Sequence, residues 1–516
     1  MNVKTFAAIS VGSFELTMKI YEFSGKNTIR EIDCLSQRMD LGSETYATGK
    51  LSKEKIDELC RTLLDFRQVM KAYRVDAFRA YGTSALRETE NTLIVLDQIE
   101  QRTGIPVKIL SNSEQRFLDY KSIASKGESF RKIIEEKTAI VDISNGSIQL
   151  SLFDNDALMS TQNLRLGVLR LQEMLTHLNA GRDQMEMLVD ELAGAQLATY
   201  KKLYLKDREI QNIIVVDDYI SPWAIRRAGN NPDKSTITTE DFDALMDLLH
   251  AGTAMGAAKT LGIPEEKVPL VMISAVLTRR IAKVMGAKKV WAPGVTLCDG
   301  MAYEYAEEIK MFRGEHDFER DIIACAGGIS KRYMGSRKRA ETLEVLATTI
   351  FDSMKKIHGM GGRERLFLQI AALLHDCGKY VSLVDVGETS YDIIMATEII
   401  GLSHAEREIV ANVVRYNHSD FIYYGYQESR GSSFFGKENY LTVAKLTAIL
   451  RLANSLDRSH KQKLKGIKAQ LVENELHLAI DTQEDITLEK GFFDTSSEFF
   501  QEVFSVVPIL KTKKKF

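Results

Sequence analysis

Asp142 stands two residues before the run Ser144-Asn145-Gly146-Ser147, inside the sequence TAIVDISNGSIQLSLF at residues 138–153. A small turn containing glycine lets backbone N–H groups approach a phosphate closely, and a carboxylate at its edge can hold a metal ion on that phosphate. β-Branched and apolar residues flank the turn, so the stretch predicts strand, tight turn, strand. An ordinary hairpin carries the same pattern. A second copy favours the functional reading: FAAISVGSFELTMKIYE at residues 6–22 is again strand, small-residue turn, strand. Ser10, Gly12 and Ser13 fall there in register with Asp142, Ser144 and Asn145. Two such hairpins far apart in the chain imply a duplicated domain with a cleft between the halves.

The elements in between must carry that cleft. Residues 29–40 predict a strand, and Ser52 caps a helix reaching about Tyr73. A strand at 75–81 leads into Gly82-Thr83-Ser84-Ala85-Leu86-Arg87-Glu88, and a helix follows over 91–103. A short strand at 107–110 precedes Ser111-Asn112-Ser113-Glu114-Gln115-Arg116, which opens a helix. In the second half, helices are expected at 168–178, from Arg182 to about Lys202, after Thr239, and over 264–285. A strand is expected at 213–216 and a turn at 291–295, before a helix that opens at 297–301. This alternation argues for an α/β sheet with helices packed on it.

Beyond a polar linker at 313–320 the pattern becomes almost continuous amphipathic helix to about His460, an all-α domain. It then returns to alternation at 467–472 and 476–480, with a short helix near Glu498 and a last strand at 506–510. The expected boundaries are 1–130, 131–308, 321–462 and 463–516. A chain of 516 residues is long enough for several such cores.

A hydrophobic share of 44%, a charged share of 27% and a net charge of −3 imply no nucleic-acid or membrane partner. Lys511, Lys513, Lys514 and Lys515 read as a solvated tail. No apolar run reaches membrane-spanning length, and the N-terminus lacks a signal-peptide pattern. Five scattered cysteines without metal or redox spacing read as reduced core residues of a cytoplasmic protein.

Four stretches together, AAISVGSFELTMKIYE, YGTSALRETEN, ILSNSEQRFLDY and IVDISNGSIQL, resemble the exopolyphosphatase/guanosine pentaphosphate phosphohydrolase family. The likeness extends through Leu164-Arg165-Leu166-Gly167-Val168-Leu169-Arg170-Leu171 and Val295-Thr296-Leu297-Cys298-Asp299-Gly300. It implies two ribonuclease H-like (actin/sugar kinase-like) domains of α/β class, and a cleft in which water attacks a terminal phosphoryl group with Mg²⁺ assistance. Gly12, Ser13, Thr83, Arg87, Ser144, Asn145, Gly146 and Ser147 are the phosphate-binding positions it implies, and Asp142 the Mg²⁺ position. Polyphosphate, phosphate or a guanosine nucleotide is the implied ligand, and a homodimer the implied assembly.

The departures bear on catalysis. Relatives read Asp-Ile-Gly-Ser-Asn-Ser in the first loop; here Ser10 takes the place of the metal-directed carboxylate, and Phe14 and Glu15 follow Ser13. A hydroxyl is a poor ligand for a hard cation beside a carboxylate. The family motif Ser-Gly-x-Glu-Glu-Ala supplies its base from the second Glu, and Gln115 holds that position. An amide cannot take the proton of the attacking water, although it could orient that water. Glu114 is the neighbouring substitute. Asp217-Asp218-Tyr219 replace an expected Gly-Gly-Thr loop and would hinder a polyanion unless a cation intervenes.

In the helical region Leu373-Leu374-His375-Asp376-Cys377-Gly378-Lys379 resembles the signature of an HD domain. Arg339, Thr389 and Asn454 stand where metal-binding relatives place ligands, so His375 and Asp376 are expected to form a hydrogen-bonded pair without metal. The expected function is phosphoanhydride binding in the cleft with hydrolysis impaired at Ser10 and Gln115. The alternatives are an active exopolyphosphatase with Glu114 as base, and a dimeric regulatory scaffold.

Overall fold

The structure, a computed structural model, describes residues 3–25, 28–155, 157–181, 184–250, 253–424, 436–464 and 466–512. The helix start expected at Arg182, and Lys513, Lys514 and Lys515, lie outside these residues. The chain divides into two compact units, Met1–Phe318 and Glu319–Phe516.

The first unit is built on two sheets. Strands β1 (Lys4–Val11) and β2 (Glu15–Phe23) pair antiparallel across residues 12–14, with Ser10 opposite Thr17. β3 (Ile29–Arg38) continues the meander, and β4 (Ala77–Gly82) and β5 (Val107–Ile109) add in parallel, giving the order β3-β2-β1-β4-β5. In the second sheet β6 (Thr138–Ile143), β7 (Ile148–Asp154) and β8 (Ala157–Leu164) form the matching meander. β9 (Asn212–Asp217) and β11 (Lys289–Trp291) extend it in parallel, and β10 (Thr236–Ile237) closes the edge, in the order β10-β11-β9-β6-β7-β8. Apart from β10 the two sheets share one topology. Asp142, opposite Gln149, lies one residue from the end of β6, as Ser10 does in β1. All six residues of β6 are buried, as a central strand covered on both faces requires.

β10 and β11 are only two and three residues long, too short to show a period, so Trp291 lies in a strand rather than in the expected turn. The helix Leu297–Glu308 packs on the first sheet rather than the second. It joins helix Asn112–Ala124 in an apolar cluster with Phe6, Ala8, Leu118, Met301 and Ala302. Gly300 permits that crossing, because a Cβ there would lie 2.0 Å from the Leu118 carbonyl oxygen.

The second unit contains helices Arg337–Ser353, Gly362–Leu374, Val386–Ala396, His404–His418 and Lys437–Ser455. A sheet β12 (Gly466–Val472), β13 (Glu475–Asp481), β14 (Val507–Thr512) and helix Thr487–Phe504 complete it. That helix is 18 residues long, not short. Gly491, Thr495, Ser496 and Ser497 hide it by propensity, while Phe493, Phe500 and Phe504 bury one face. Among the described residues no helix is long and apolar enough to cross a membrane.

Candidate functional site

The two hairpin turns meet in the first unit and line a cleft of about 110 Å³. Ser10, Gly12, Ser13, Thr83, Ser144 and Asn145 reach it, together with Glu15, Gln115, Asp119, Asp142, Asp217, Asp218 and Lys267. Gly12 is required by its turn: its N–H donates to the Glu15 carbonyl at 3.1 Å, and a Cβ would lie 2.6 Å from that oxygen. The Ser13 hydroxyl accepts from the Ala85 N–H (3.1 Å) and bonds Ser84 Oγ (2.9 Å) and Tyr46 OH (3.1 Å). Thr83 donates to the Val11 carbonyl. In the second turn the Ser144 N–H and hydroxyl both donate to the Ser147 carbonyl, each at 3.0 Å, and Tyr219 donates to Asn145 Oδ1. The Ser13, Thr83 and Ser144 hydroxyls are thus engaged within the protein.

Three implied phosphate positions stand back from the cleft lining. Gly146 presses against Ser84 and Tyr46, where a Cβ would meet atoms at 2.8 Å. The Ser147 hydroxyl is buried without a partner. Arg87 donates to the Leu110 carbonyl at 2.7 Å and approaches Gln115 Oε1 at 3.5 Å, so it clamps the helix start.

Helix Asn112–Ala124 settles the positions of Glu114 and Gln115. Ser111 and Glu114 form a capping box: Ser111 Oγ accepts from the Glu114 N–H, and Glu114 Oε2 accepts from the Ser111 N–H at 2.9 Å. Glu114 Oε1 also takes Lys108 Nζ at 2.7 Å, so this carboxylate is turned away from the cleft. Gln115 faces inward, and one turn later Asp119 shares its face, 4% exposed. No motif in the sequence marks Asp119; its four-residue spacing from Gln115 is the available signal.

The cleft is acidic. Asp119 and Asp142 lie within hydrogen-bonding reach of each other, and burial together with Asp142 and Asp218 holds Asp119 above the usual carboxylate range. Asp142 is pushed up to about 7 by burial, against the favourable field of Arg116. Its Oδ2 is buried with no hydrogen-bond partner. Arg116 Nε donates to Gln149 Oε1 at 2.7 Å beneath the pair. Asp218 is open to the cleft and is pushed up to about 6 by the protein around it and by Glu15 and Asp217. Asp217 is consumed by structure, accepting from the N–H groups of Tyr219, Ile220 and Ser221 and from Ser274 Oγ. Glu15 faces the cleft but pairs with Lys267 at 2.6 Å. Among the described residues no group of three or more His, Cys, Asp or Glu side chains is placed to hold a metal alone.

A larger cavity of about 840 Å³ lies on the second half, between helices Met185–Tyr200 and Val268–Met285. Its Arg279 pairs with Glu186 and its Arg280 with Asp190, and none of the hairpin residues reaches it. The hairpin residues therefore gather at the cleft and not at this cavity.

In the second unit Arg339 donates to Asp376 Oδ2 at 3.2 Å and to Asn454 Oδ1 at 3.0 Å. His375 and Asp376 do not form the expected hydrogen bond. His375 Nδ1 donates to the Ala372 carbonyl at 2.8 Å, while Nε2 stands 3.6 Å from Asp376 Oδ2 with no hydrogen-bond partner. The guanidinium and Lys379 satisfy Asp376 instead. Thr389 Oγ1 donates to the Gly378 carbonyl at 3.1 Å.

Comparison with known proteins places these features in a group. The family described as "Ppx/GppA phosphatase family" matches residues 22–308, and "Ppx/GppA phosphatase, domain III" matches residues 324–495. The chain is 24% identical over 258 residues to "Exopolyphosphatase 1" of Mycobacterium tuberculosis, covering 48% of this chain and 73% of that protein. It is 20% identical over 427 residues to "Guanosine-5'-triphosphate,3'-diphosphate pyrophosphatase" of Vibrio atlanticus, covering 80% of each. A crystal structure of an exopolyphosphatase from Cytophaga hutchinsonii superposes with a TM-score of 0.50 at 17% identity, over 60% of this chain and all of that one.

Proposed function

The chain belongs to the Ppx/GppA phosphatase family, and from that premise we propose that its cleft receives the terminal phosphate of a polyphosphate or guanosine nucleotide and hydrolyses it slowly. The observation that carries the reading is Gln115. Its carboxamide faces the cleft where the resemblance expects a carboxylate, and Glu114 beside it caps the helix instead. Gln115 can orient a water but cannot take its proton. The cleft fits the implied Mg²⁺ in part: Asp142 Oδ2 is buried and unpartnered, with a second carboxyl against it. Bound there, Mg²⁺ would neutralise phosphate charge and orient the scissile group.

Phosphate release from polyphosphate and from guanosine pentaphosphate, with Mg²⁺ present, tests this. Native turnover should be slow and should rise in Gln115→Glu, toward the roughly hundred- to ten-thousand-fold that a positioned base contributes. Rapid native turnover that Gln115→Glu leaves unchanged would overturn the slow reading. A scaffold role is the second reading, favoured by loop groups already bonded within the protein; absence of both binding and turnover would select it.

A further inference from the structure

Ser10 and Asp142 occupy equivalent places in the two hairpins, and only one of them is a carboxylate. The molecule carries another where the hairpins alone would not put it. Asp119, on helix Asn112–Ala124, lines the same cleft, is 4% exposed and lies against Asp142, which is 5% exposed. Two buried carboxyl groups lining one cleft present the hard oxygen donors that a divalent cation takes. Asp142 Oδ2, buried and unpartnered, supplies an independent sign of a missing electrophile. Arg116 lends positive charge to both groups while its Nε donates to Gln149 Oε1.

We propose that Asp119 and Asp142 together hold one divalent cation of the Mg²⁺ class, bound in company with the ligand's phosphate oxygens, so that Asp119 does what Ser10 cannot. This rests on the reading that the cleft receives a phosphate. Two carboxylates are too few for a closed protein cage, in keeping with the lack of a three-ligand cluster among the described residues. They suit Mg²⁺, which keeps several waters and is held by one or two carboxylates plus substrate phosphates. The ion would draw the phosphate toward a cleft that otherwise repels it, since Asp218 also faces inward and Lys267 is spent on Glu15.

Mn²⁺ serves as the probe, with water-proton relaxation enhancement reporting only ion bound to the macromolecule. The full-length protein is titrated with Mn²⁺, with and without inorganic phosphate. Enhancement should appear chiefly with phosphate. Asp119→Asn should weaken it by at least about tenfold, the loss typical even of a residue that merely orients a metal ligand. Ser10→Ala should leave it unchanged. A melting curve without Mn²⁺ shows that Asp119→Asn is folded, and Asp119→Glu should keep part of the binding. Wild-type affinity in Asp119→Asn, loss of binding in Ser10→Ala, or no enhancement under any condition would overturn the proposal. The readout is independent of turnover. Asp119-dependent Mn²⁺ binding without hydrolysis would sink only the catalytic reading, and hydrolysis with Asp119-independent binding only this one.

Discussion

The guanidinium of Arg339 shows what one side chain does to a buried polar site. It is 4% exposed and spans Asp376 and Asn454, so a fixed internal cation sits where the HD resemblance would ask for an exchangeable one. His375 lives beside it with no exposure at all. Burial, reinforced by the Arg339 charge, outweighs the pull of Asp376 and pushes the imidazole down to about 3, from an ordinary value of about 6.5. The sign follows. Between about pH 6.5 and about pH 3 the unfolded chain binds a proton that folded His375 refuses, so stability falls as pH drops through that window. Above it His375 contributes no pH dependence. Melting temperature measured from pH 7 to pH 4 should fall more steeply in the native protein than in His375→Gln. Parallel curves would show that His375 does not stay neutral in the fold.

At the scale of elements, the helix Asn112–Ala124 carries both Gln115 and Asp119, and its position depends on Gly300 in the helix that crosses it. A Cβ at Gly300 would lie 2.0 Å from the Leu118 carbonyl oxygen, a backbone atom that cannot swing aside. Gly300→Ala should therefore cost about 1–3 kcal/mol by overpacking and shift the cleft-facing side of the helix. Chemical denaturation should show the lost stability, together with weaker Mn²⁺ binding; an unchanged midpoint would mean that the helices cross less closely. Much of this level was legible. The paired hairpins and the small loops at Ser13 and Ser144 are visible as pattern, and the family resemblance puts Gln115 at the position of the base. Other features were hidden for physical reasons. Ser111-x-x-Glu114 is the spacing of a capping box, which commits Glu114 to the helix start, while the same run of residues matches the family motif for the base. Asp119 was masked by lying a full turn beyond that motif. Arg87 and Ser147 kept their places in sequence, yet no pattern of residue types says which way a side chain turns.

Across the first unit as a whole, the halves are latched through the residues that depart from the family pattern. Phe14, the residue after Ser13, buries its ring in the core cluster of the second half, at 6% exposure. Glu15 pairs with Lys267 at 2.6 Å, and Arg38 with Glu266 at 2.9 Å. These ion pairs are partly exposed and contribute little, about 0–1 kcal/mol each. The ring contributes far more, since removing a buried Phe costs about 3–5 kcal/mol. The cleft volume of about 110 Å³ is well under the roughly 300–1,000 Å³ of ordinary ligand pockets. On the proposed reading a polyphosphate chain binds to a more open arrangement, and apparent affinity is then reduced by the fraction of molecules that are open. Phe14→Ala weakens the closed state selectively, so two effects of opposite sign are expected. The free protein should melt at a lower temperature, while calorimetric titration with tripolyphosphate and Mg²⁺ should give a smaller Kd than the native protein. A Kd that rises with the loss of the ring would show that the ligand binds the closed cleft and that Phe14 helps to shape its site. The two outcomes differ in sign, so the titration decides between a latch and a wall.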